Sequence, residues 1–169
     1  MVERLWLIGM MGSGKSTVGA EVARMLAVEH HDTDDIIEAR AGMPVVQIFE
    51  SVGVAAFRDL ERQAVEHAAT LGGIISTGGG AVLDERSRTT MTDTGTVIYL
   101  AAEPVILRRR VGDVSGRPLL HEGDPVQTLT RLLDERQPLY RETAHRIIDT
   151  STMSPREVVE EVIGAWNAS

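Results

Sequence analysis

GMMGSGKS at residues 9–16 matches G-x-x-x-x-G-K-S, the pattern of a phosphate-binding P-loop. The apolar run at residues 5–8 before it is typical of a strand, and residues 17–27 after it show the apolar spacing of a helix. Glycines let backbone N–H groups turn toward a phosphate, and the N-terminus of the following helix adds its positive end. The predicted nucleotide-binding residues of this loop are Gly12, Ser13, Gly14, Lys15, Ser16 and Thr17.

Lys15 is the only lysine of the chain, which otherwise uses arginine sixteen times. A GC-rich genome would explain the missing lysines, but it does not explain the one that is retained. A compact ammonium can bridge β- and γ-phosphates as a point charge, whereas a guanidinium is planar and bulkier. The single lysine therefore supports a phosphate site at this position.

The bulk composition is that of an ordinary globular protein of 169 residues, with 43% apolar and 25% charged residues. A net charge of −8 argues against a general nucleic-acid surface. No apolar stretch approaches the ~20 residues of a membrane span, and the lack of cysteine excludes disulfides. We expect one domain over residues 1–169, a cytoplasmic location, and a monomer that binds neither nucleic acid nor membrane.

Extended and helical patterns alternate along the chain. The extended candidates are a short piece ending near residue 32 and residues 5–8, 74–76, 96–100 and 146–149. The helical candidates are residues 17–27, 35–40, 45–50, 55–71, 85–92, 104–111, 125–137 and 155–166. This alternation predicts an α/β fold in three layers, α/β/α, around a parallel sheet of five strands. Ligands of such sheets bind at the carboxyl ends of the strands.

Asp32 and Asp34 follow the second extended piece. Residues two apart in a strand face the same side, so both carboxylates are expected to face one cleft. One could hold Mg²⁺ together with the Ser16 hydroxyl, and the other could accept a proton from a hydroxyl group. The alternative is that one of them caps the helix that begins near Asp35.

Three glycines at residues 78–80 follow a predicted strand, where they permit close approach of the backbone to a ligand; a tight turn is the alternative.

Arg58 and Glu61 share a helix face, where a surface salt bridge is the alternative. Arg136 lies at a predicted helix end, and Arg117 lies in the irregular stretch 112–124, which we predict to be a mobile lid rather than a surface connection. Arginines that meet from distant segments would recognise a carboxylate and a phosphoryl group.

Together these segments resemble the shikimate kinase family. The motifs that carry the resemblance are the P-loop at 9–16, Asp32-Thr33-Asp34, Phe57-Arg58 with Glu61, the glycines at 78–80, Arg117-Pro118-Leu119-Leu120, and Arg136 with Pro138-Leu139-Tyr140. The resemblance implies a P-loop kinase topology and transfer of the ATP γ-phosphoryl group to the 3-hydroxyl of shikimate, a step toward chorismate and the aromatic amino acids.

The resemblance also implies a role for each matching residue. Lys15 would bind the β- and γ-phosphates, and Ser16 would ligate Mg²⁺ with support from Asp32. Asp34 would hold the substrate hydroxyls and act as the base, and Arg117 would stabilise charge in the transition state while also contacting ATP. The implied shikimate-binding residues are Asp34, Arg58, Gly79, Gly80 and Arg136, with Glu61 steadying the arginines and Phe49 and Phe57 lining the ring. Arg110 and Pro155 would enclose the adenine.

Two other interpretations remain open at this point. One is a P-loop kinase that acts on gluconate or a nucleoside monophosphate. The other is a nucleotide-dependent switch or binding module, although a guanine-reading N-K-x-D motif is impossible in a chain whose only lysine is Lys15.

Overall fold

The computed structural model describes residues 4–112, 118–120 and 123–168. Its strands, numbered in chain order, are β1 (Arg4–Ile8), β2 (His30–Asp32), β3 (Gly73–Ser76), β4 (Thr96–Ala101) and β5 (Arg146–Asp149). The α-helices within these residues are α1 (Lys15–Leu26), α2 (Thr33–Ala41), α3 (Val45–Ala68), α4 (Glu85–Thr94), α5 (Pro104–Val111), α6 (Pro125–Thr143) and α7 (Pro155–Trp166). Short 3₁₀ turns occupy Ala81–Leu83 and Pro118–Leu120.

The five strands form one parallel sheet in the order β2-β3-β1-β4-β5. β1 lies in the centre, where Leu5 pairs with Ile74 of β3 on one side and with Thr96 of β4 on the other. Because all strands run in the same direction, their carboxyl ends meet at one edge of the sheet. The predicted α/β fold with five parallel strands is confirmed.

Helices cover both faces of the sheet, as buried parallel strands require. Leu5 and Leu7 of β1 pack with α1 and α7, in a core that includes Val22 and Val162. The alternate residues of β1 point to the opposite face, where a second core joins them to buried side chains of α3 to α6. Those residues are Trp6 and Ile8 of β1 with Val65, Met91, Leu107 and Leu129.

None of the described helices combines the length and apolar character needed to cross a membrane.

Helix α6 differs from the prediction, which ended it at residue 137. It runs through Pro138 to Thr143, although proline lacks the N–H for one helical hydrogen bond. Buried side chains on both sides of the proline, including Leu133 and Tyr140, hold the helix together. Arg136 therefore lies inside a helix, and its predicted position at a helix end is wrong.

The segment around Asp32 also differs from the prediction. Helix α2 begins at Thr33, so Asp32 and Asp34 do not lie in one strand as predicted. Asp32 is the N-cap of α2, and its Oδ1 accepts a hydrogen bond from the Asp34 N–H at 2.9 Å. The alternative that one of the two aspartates caps a helix is confirmed, since a carboxylate satisfies the first N–H groups of a helix well.

Helix α3 contains the break that the sequence pattern predicts between residues 50 and 55. Gly53 has φ 77° and ψ 175°, which is not helical, so the segment consists of two helical stretches across a kink. The second stretch ends at Ala68, three residues earlier than the predicted end at residue 71. The predicted lid at 112–124 falls largely outside the described residues, and so does Arg117.

Candidate active site

The P-loop connects the end of β1 to the start of α1. Gly9 has φ 146°, and a Cβ atom there would lie 2.6 Å from the carbonyl oxygen of Leu100 at the end of β4. Gly14 is the N-cap of α1 in the left-handed region, with φ 95°, and supplies no capping side chain. The first N–H groups of α1 are thus not capped by a side chain, which suits an anion at the positive end of the helix.

Lys15 is held inside the loop, with 8% of its surface exposed. Its Nζ donates to the carbonyl oxygens of Gly9 at 2.8 Å and Met10 at 2.9 Å. These acceptors place the ammonium over the loop that the sequence predicts to hold phosphate. Phosphate oxygens would offer it stronger, charged acceptors than two backbone carbonyls.

Ser16 and Asp32 meet at the edge of this loop. The Ser16 hydroxyl donates to Asp32 Oδ2 at 2.5 Å, so a hydroxyl and a carboxylate oxygen lie side by side. Oxygen ligands of this kind suit Mg²⁺, which usually keeps waters and binds substrate phosphates. No group of three or more histidines, cysteines or acids in the described residues could hold a metal by itself. A metal bound here would therefore take its other ligands from water and nucleotide.

A cavity of about 440 Å³ extends from the P-loop toward α5 and the start of α7. Its far end contains Arg110, Thr150, Met153 and Pro155, so both predicted adenine residues lie in the same cavity as Lys15. Arg110 is fixed there, because it donates to Thr150 Oγ1 at 2.8 Å and to the Thr150 carbonyl at 2.6 Å. These two hydrogen bonds to Thr150, the residue after β5, fix the orientation of the Arg110 guanidinium plane.

A second cavity adjoins the first and collects residues that are far apart in the sequence. Its lining comprises Met11, Asp34, Val45, Phe49, Phe57, Arg58, Glu61, Gly78, Gly80, Leu119 and Arg136. Met11 and Asp34 also line the first cavity, so the two cavities meet at these residues. Arg58 and Arg136, which come from distant segments of the chain, thus line the same cavity.

Glu61 lies beneath the arginines with only 4% of its surface exposed. It forms an ion pair with Arg58 Nη1 through Oε2. Burial raises the pKa of Glu61 above its ordinary value, while the positive charges of Arg58 and Arg136 oppose that rise. Arg136 is 3% exposed and its Nε has no hydrogen-bond partner among the described residues. A buried, incompletely paired guanidinium suits an anionic ligand.

None of the three glycines at 78–80 has a positive φ, so Gly78 and Gly80 are favoured there by space rather than by backbone angles. A Cβ on Gly78 would lie 2.8 Å from Glu61 Oε1 and 3.0 Å from Asp34 Oδ1. A Cβ on Gly80 would overlap the Arg58 guanidinium. Glycine here lets the two arginines and two carboxylates approach the backbone closely.

Aromatic residues form the apolar wall of the second cavity. Phe49 and Phe57 lie on the two stretches of α3, with ring centroids 5.3 Å apart and planes at 64°. This edge-to-face arrangement is favourable for aromatic pairs. The Arg58 guanidinium carbon lies 5.9 Å from the centroid of the Phe57 ring. One part of the cavity lining is therefore charged, and another part is apolar.

Comparison with known proteins agrees with this geometry. The family model for shikimate kinase matches residues 11–167. The chain belongs to the shikimate kinase family. It is 43% identical to the shikimate kinase of Chromohalobacter salexigens over 158 residues, which cover 93% of this chain and 88% of that protein. It is 42% identical to the shikimate kinase of Caldanaerobacter subterraneus over 166 residues, or 98% of this chain and 96% of the relative.

Solved structures of shikimate kinases have the same fold. The enzyme from Acinetobacter baumannii in complex with shikimate superposes with a TM-score of 0.94 at 32% identity, covering 99% of this chain and 94% of that one. The Aquifex aeolicus enzyme gives 0.83 at 32% identity, covering 98% and 96%. The resemblance inferred from the motifs is confirmed, and the chain is a kinase rather than a binding module.

Three residues of this shikimate kinase fold contribute to the site without having been assigned a role from the sequence. Thr33 Oγ1 accepts a hydrogen bond from the Gly78 N–H at 3.0 Å. The Tyr140 hydroxyl donates to the Gly79 carbonyl at 2.5 Å, and Thr150 fixes Arg110. Thr33 belongs to the Asp32-Thr33-Asp34 motif, and Tyr140 belongs to the motif that begins at Arg136. Membership of these motifs was the sequence signal that could have assigned them to the site. The hydrogen-bond partner of a buried hydroxyl can be identified only from the folded structure.

Proposed function

We propose that the chain transfers the γ-phosphoryl group of ATP to the 3-hydroxyl of shikimate, giving shikimate 3-phosphate and ADP. The observation that carries this proposal is the junction of the two cavities at Asp34 and Met11. A nucleotide in the P-loop cavity and an acceptor in the arginine cavity would meet beside a carboxylate. The resemblance to the shikimate-bound Acinetobacter baumannii enzyme supports the choice of acceptor.

The acceptor cavity suits a small carboxylated ring that bears hydroxyl groups. Arg58 and Arg136 offer guanidinium groups for the carboxylate, because that group pairs well with a planar fork of N–H donors. Glu61 keeps the Arg58 guanidinium in place through their ion pair. The backbone N–H groups of Gly79 and Gly80 are the proposed donors to the substrate, and Phe49 and Phe57 would contact its apolar side.

The nucleotide cavity suits ATP with Mg²⁺. Lys15 would exchange its two carbonyl acceptors for β- and γ-phosphate oxygens, while residues 12–17 supply backbone N–H groups. Ser16 and Asp32 would hold Mg²⁺, which neutralises charge on the phosphates when bound. Arg110 and Pro155 would enclose the adenine, since both line the far end of this cavity.

Asp34 is the proposed base of the transfer. The acceptor hydroxyl oxygen forms a bond to the γ-phosphorus while the bond to the β,γ-bridging oxygen breaks. The hydroxyl proton passes to an Asp34 carboxylate oxygen, which restores neutrality at the new ester oxygen. Arg117 stays the predicted stabiliser of the transition state and lies outside the described residues.

The first test is ADP release from Mg-ATP with and without shikimate, with gluconate and nucleoside monophosphates as parallel acceptors. Strong stimulation by shikimate alone is the expected result. Stimulation by a nucleoside monophosphate would support phosphoryl transfer but reject the carboxylate role of Arg58 and Arg136. Stimulation by gluconate, which also carries a carboxylate, would reject shikimate as the acceptor. A slow release of ADP that no acceptor changes would reject the proposed function.

Asp34→Asn tests the base directly. Loss of the proton acceptor should lower turnover by roughly 10²–10⁴, in the range of general-base contributions, with ATP binding retained. Asp35→Asn is the matched control, because Asp35 is the next residue of α2 and is exposed. Normal turnover of Asp34→Asn would remove Asp34 from the mechanism.

A cytoplasmic monomer is the proposed form of the enzyme. A single copy of the chain forms both cavities with its described residues, which supports a monomer. Light scattering during size-exclusion chromatography, combined with an activity assay of the eluted protein, tests this. Activity found only in a dimer fraction would overturn it.

A further inference from the structure

Tyr140 makes a buried hydrogen bond to the glycine loop that none of the roles above uses. The residue is fully buried on α6, and its hydroxyl donates to the carbonyl oxygen of Gly79 at 2.5 Å. Its ring stacks on Tyr99 of β4, with centroids 4.9 Å apart and planes at 21°. The phenol is thus held on one side by β4, and its hydroxyl is directed at a loop that lines the acceptor cavity.

The acceptor of this bond belongs to a peptide group that also contains the N–H of Gly80, one of the proposed donors to the substrate. The Gly79 carbonyl and the Gly80 N–H share one peptide, and no cis peptide bond occurs in the described part of the chain. In a trans peptide the C=O and N–H bonds point in opposite directions. The hydrogen bond from Tyr140 therefore sets the direction of the Gly80 N–H, which points away from the tyrosine.

Gly80 is placed to use that direction. It is buried, it lines the acceptor cavity, and within the described residues no protein atom accepts a hydrogen bond from its N–H. An N–H group that lines a cavity and has no partner in the protein is available to an acceptor atom of a ligand. The neighbouring peptide groups are fixed by other bonds, from Gly78 N–H to Thr33 and from Leu83 N–H to the Gly80 carbonyl.

The uninterrupted course of α6 connects Tyr140 with the arginine cluster. Arg136 and Tyr140 are four residues apart on one helix and therefore lie on the same face. Arg136 Nη1 approaches within 3.4 Å of the position that a Cβ of Gly79 would occupy. One helix turn thus presents a guanidinium to the cavity and a hydroxyl to the loop beside it, and the Arg136 guanidinium also interacts with the Tyr140 hydroxyl.

We propose that Tyr140 is a positioning residue for the acceptor: its hydroxyl orients the Gly79–Gly80 peptide so that the Gly80 N–H faces the acceptor cavity. Tyr140 itself touches neither substrate. The inference rests on the proposed function, because it assumes that the acceptor occupies the cavity lined by Gly80. Burial raises the pKa of Tyr140, so the hydroxyl remains a donor throughout the working pH range.

Tyr140→Phe tests this role, because it removes the hydroxyl and keeps the ring. The KM for shikimate should rise about three- to tenfold, the range that corresponds to loss of one hydrogen bond, while the KM for ATP stays within about twofold. Tyr99→Phe is the matched control. It removes the hydroxyl from the other ring of the same buried stack, which lies near Gln137 rather than the glycine loop.

Each outcome decides the proposal. An unchanged shikimate KM in Tyr140→Phe overturns it, and so does an equal rise in both KM values or an equal effect of Tyr99→Phe, since a packing role predicts these results. If the wild-type enzyme shows no shikimate-dependent ADP release, the proposed function fails instead, and the two failures are distinguishable.

A spectroscopic measurement keeps the proposal testable if Tyr140→Phe folds poorly. The chain contains two tyrosines, Tyr99 and Tyr140, so 3-fluorotyrosine incorporated into Tyr99→Phe labels Tyr140 alone. Its single ¹⁹F resonance should shift when shikimate is added and shift less with ADP. A resonance that stays in place while shikimate binds would overturn the proposal.

Discussion

Burial changes how strongly the ion pair between Arg58 and Glu61 affects the protein. The spacing of Arg58 and Glu61 on a helix is equally consistent with an exposed salt bridge, and such pairs contribute little. In the structure Glu61 is buried and paired with Arg58, so removal of the Arg58 guanidinium would leave a poorly compensated carboxylate. The sequence identified both residues, but their burial depends on side chains that come from other parts of the chain.

Arg58→Lys separates the shape of the cation from its charge. Lysine keeps the positive charge near Glu61 but cannot make a two-pronged contact with a carboxylate. The KM for shikimate should rise on the order of tenfold or more, with the KM for ATP unchanged, because charged hydrogen bonds are among the stronger ones. Steady-state kinetics with each substrate varied in turn measures both constants.

Arg62→Lys is the control for that experiment. Arg62 lies on the same helix and pairs with Glu66 at 2.8 Å, but it does not line the acceptor cavity. If the two variants have the same shikimate KM, Arg58 has no special role in acceptor binding.

Among the secondary-structure elements, the strands and most helices could be predicted because periodicity and caps are local signals. Some boundaries could not, and two of them have a clear physical reason. Pro138 is a strong local signal for a helix end, yet burial of Tyr140 and Thr143 against the core outweighs it. Asp32 is the last residue of a strand of only three residues, which is too short for its alternation to show where α2 begins.

Gly80→Ala tests the close approach of the glycine loop. The φ of Gly80 is −91°, which alanine adopts without strain, so the variant should fold normally. Its Cβ would displace the Arg58 guanidinium, and we expect the shikimate KM to rise about tenfold or more, since small displacements at a binding site are costly. Thermal unfolding and kinetics on the same sample measure stability and binding separately.

Gly164→Ala is the matching control, because Gly164 lies in α7 with no atom within 4 Å of an added Cβ. It should increase stability by roughly 0.5–1 kcal/mol through helix propensity and leave both KM values unchanged. A Gly80→Ala enzyme with wild-type kinetics would show that the loop tolerates a side chain and that the space argument is wrong.

Over the whole molecule, the sequence indicated which residues form the site but not how they are arranged. The order β2-β3-β1-β4-β5 brings residues near 34, 58, 80 and 136 to one cavity, and spacing along the chain contains no measure of those distances. The resemblance to the family indicated that these residues belong to one site. The contacts of Thr33, Tyr140 and Thr150 needed the assembled fold, because each joins segments that are remote in sequence.

The single lysine permits a test on the intact chain. An amine-directed reagent can modify only Lys15 and the N-terminal amine, and Lys15 is largely buried by the P-loop. Saturating ATP should slow modification of Lys15 several-fold by placing phosphate oxygens around the ammonium, with the N-terminus as an internal control. Peptide mass spectrometry over a time course follows both amines. Equal rates with and without ATP would contradict the assignment of the P-loop.

The central position of β1 has a consequence for how the protein is made. Arg4 pairs with Gly73 and Leu5 with Thr96, so β1, which is synthesised before β3 and β4, must wait for both of its neighbours. The turn at Gly9 packs on the Leu100 carbonyl, and the cavity beyond Lys15 is completed only by Thr150 and Pro155. A nascent chain thus has no finished pocket for nucleotide until Thr150 and Pro155 have been synthesised. Cellular ATP can stabilise the completed protein by mass action, but it cannot assist the early steps of its folding.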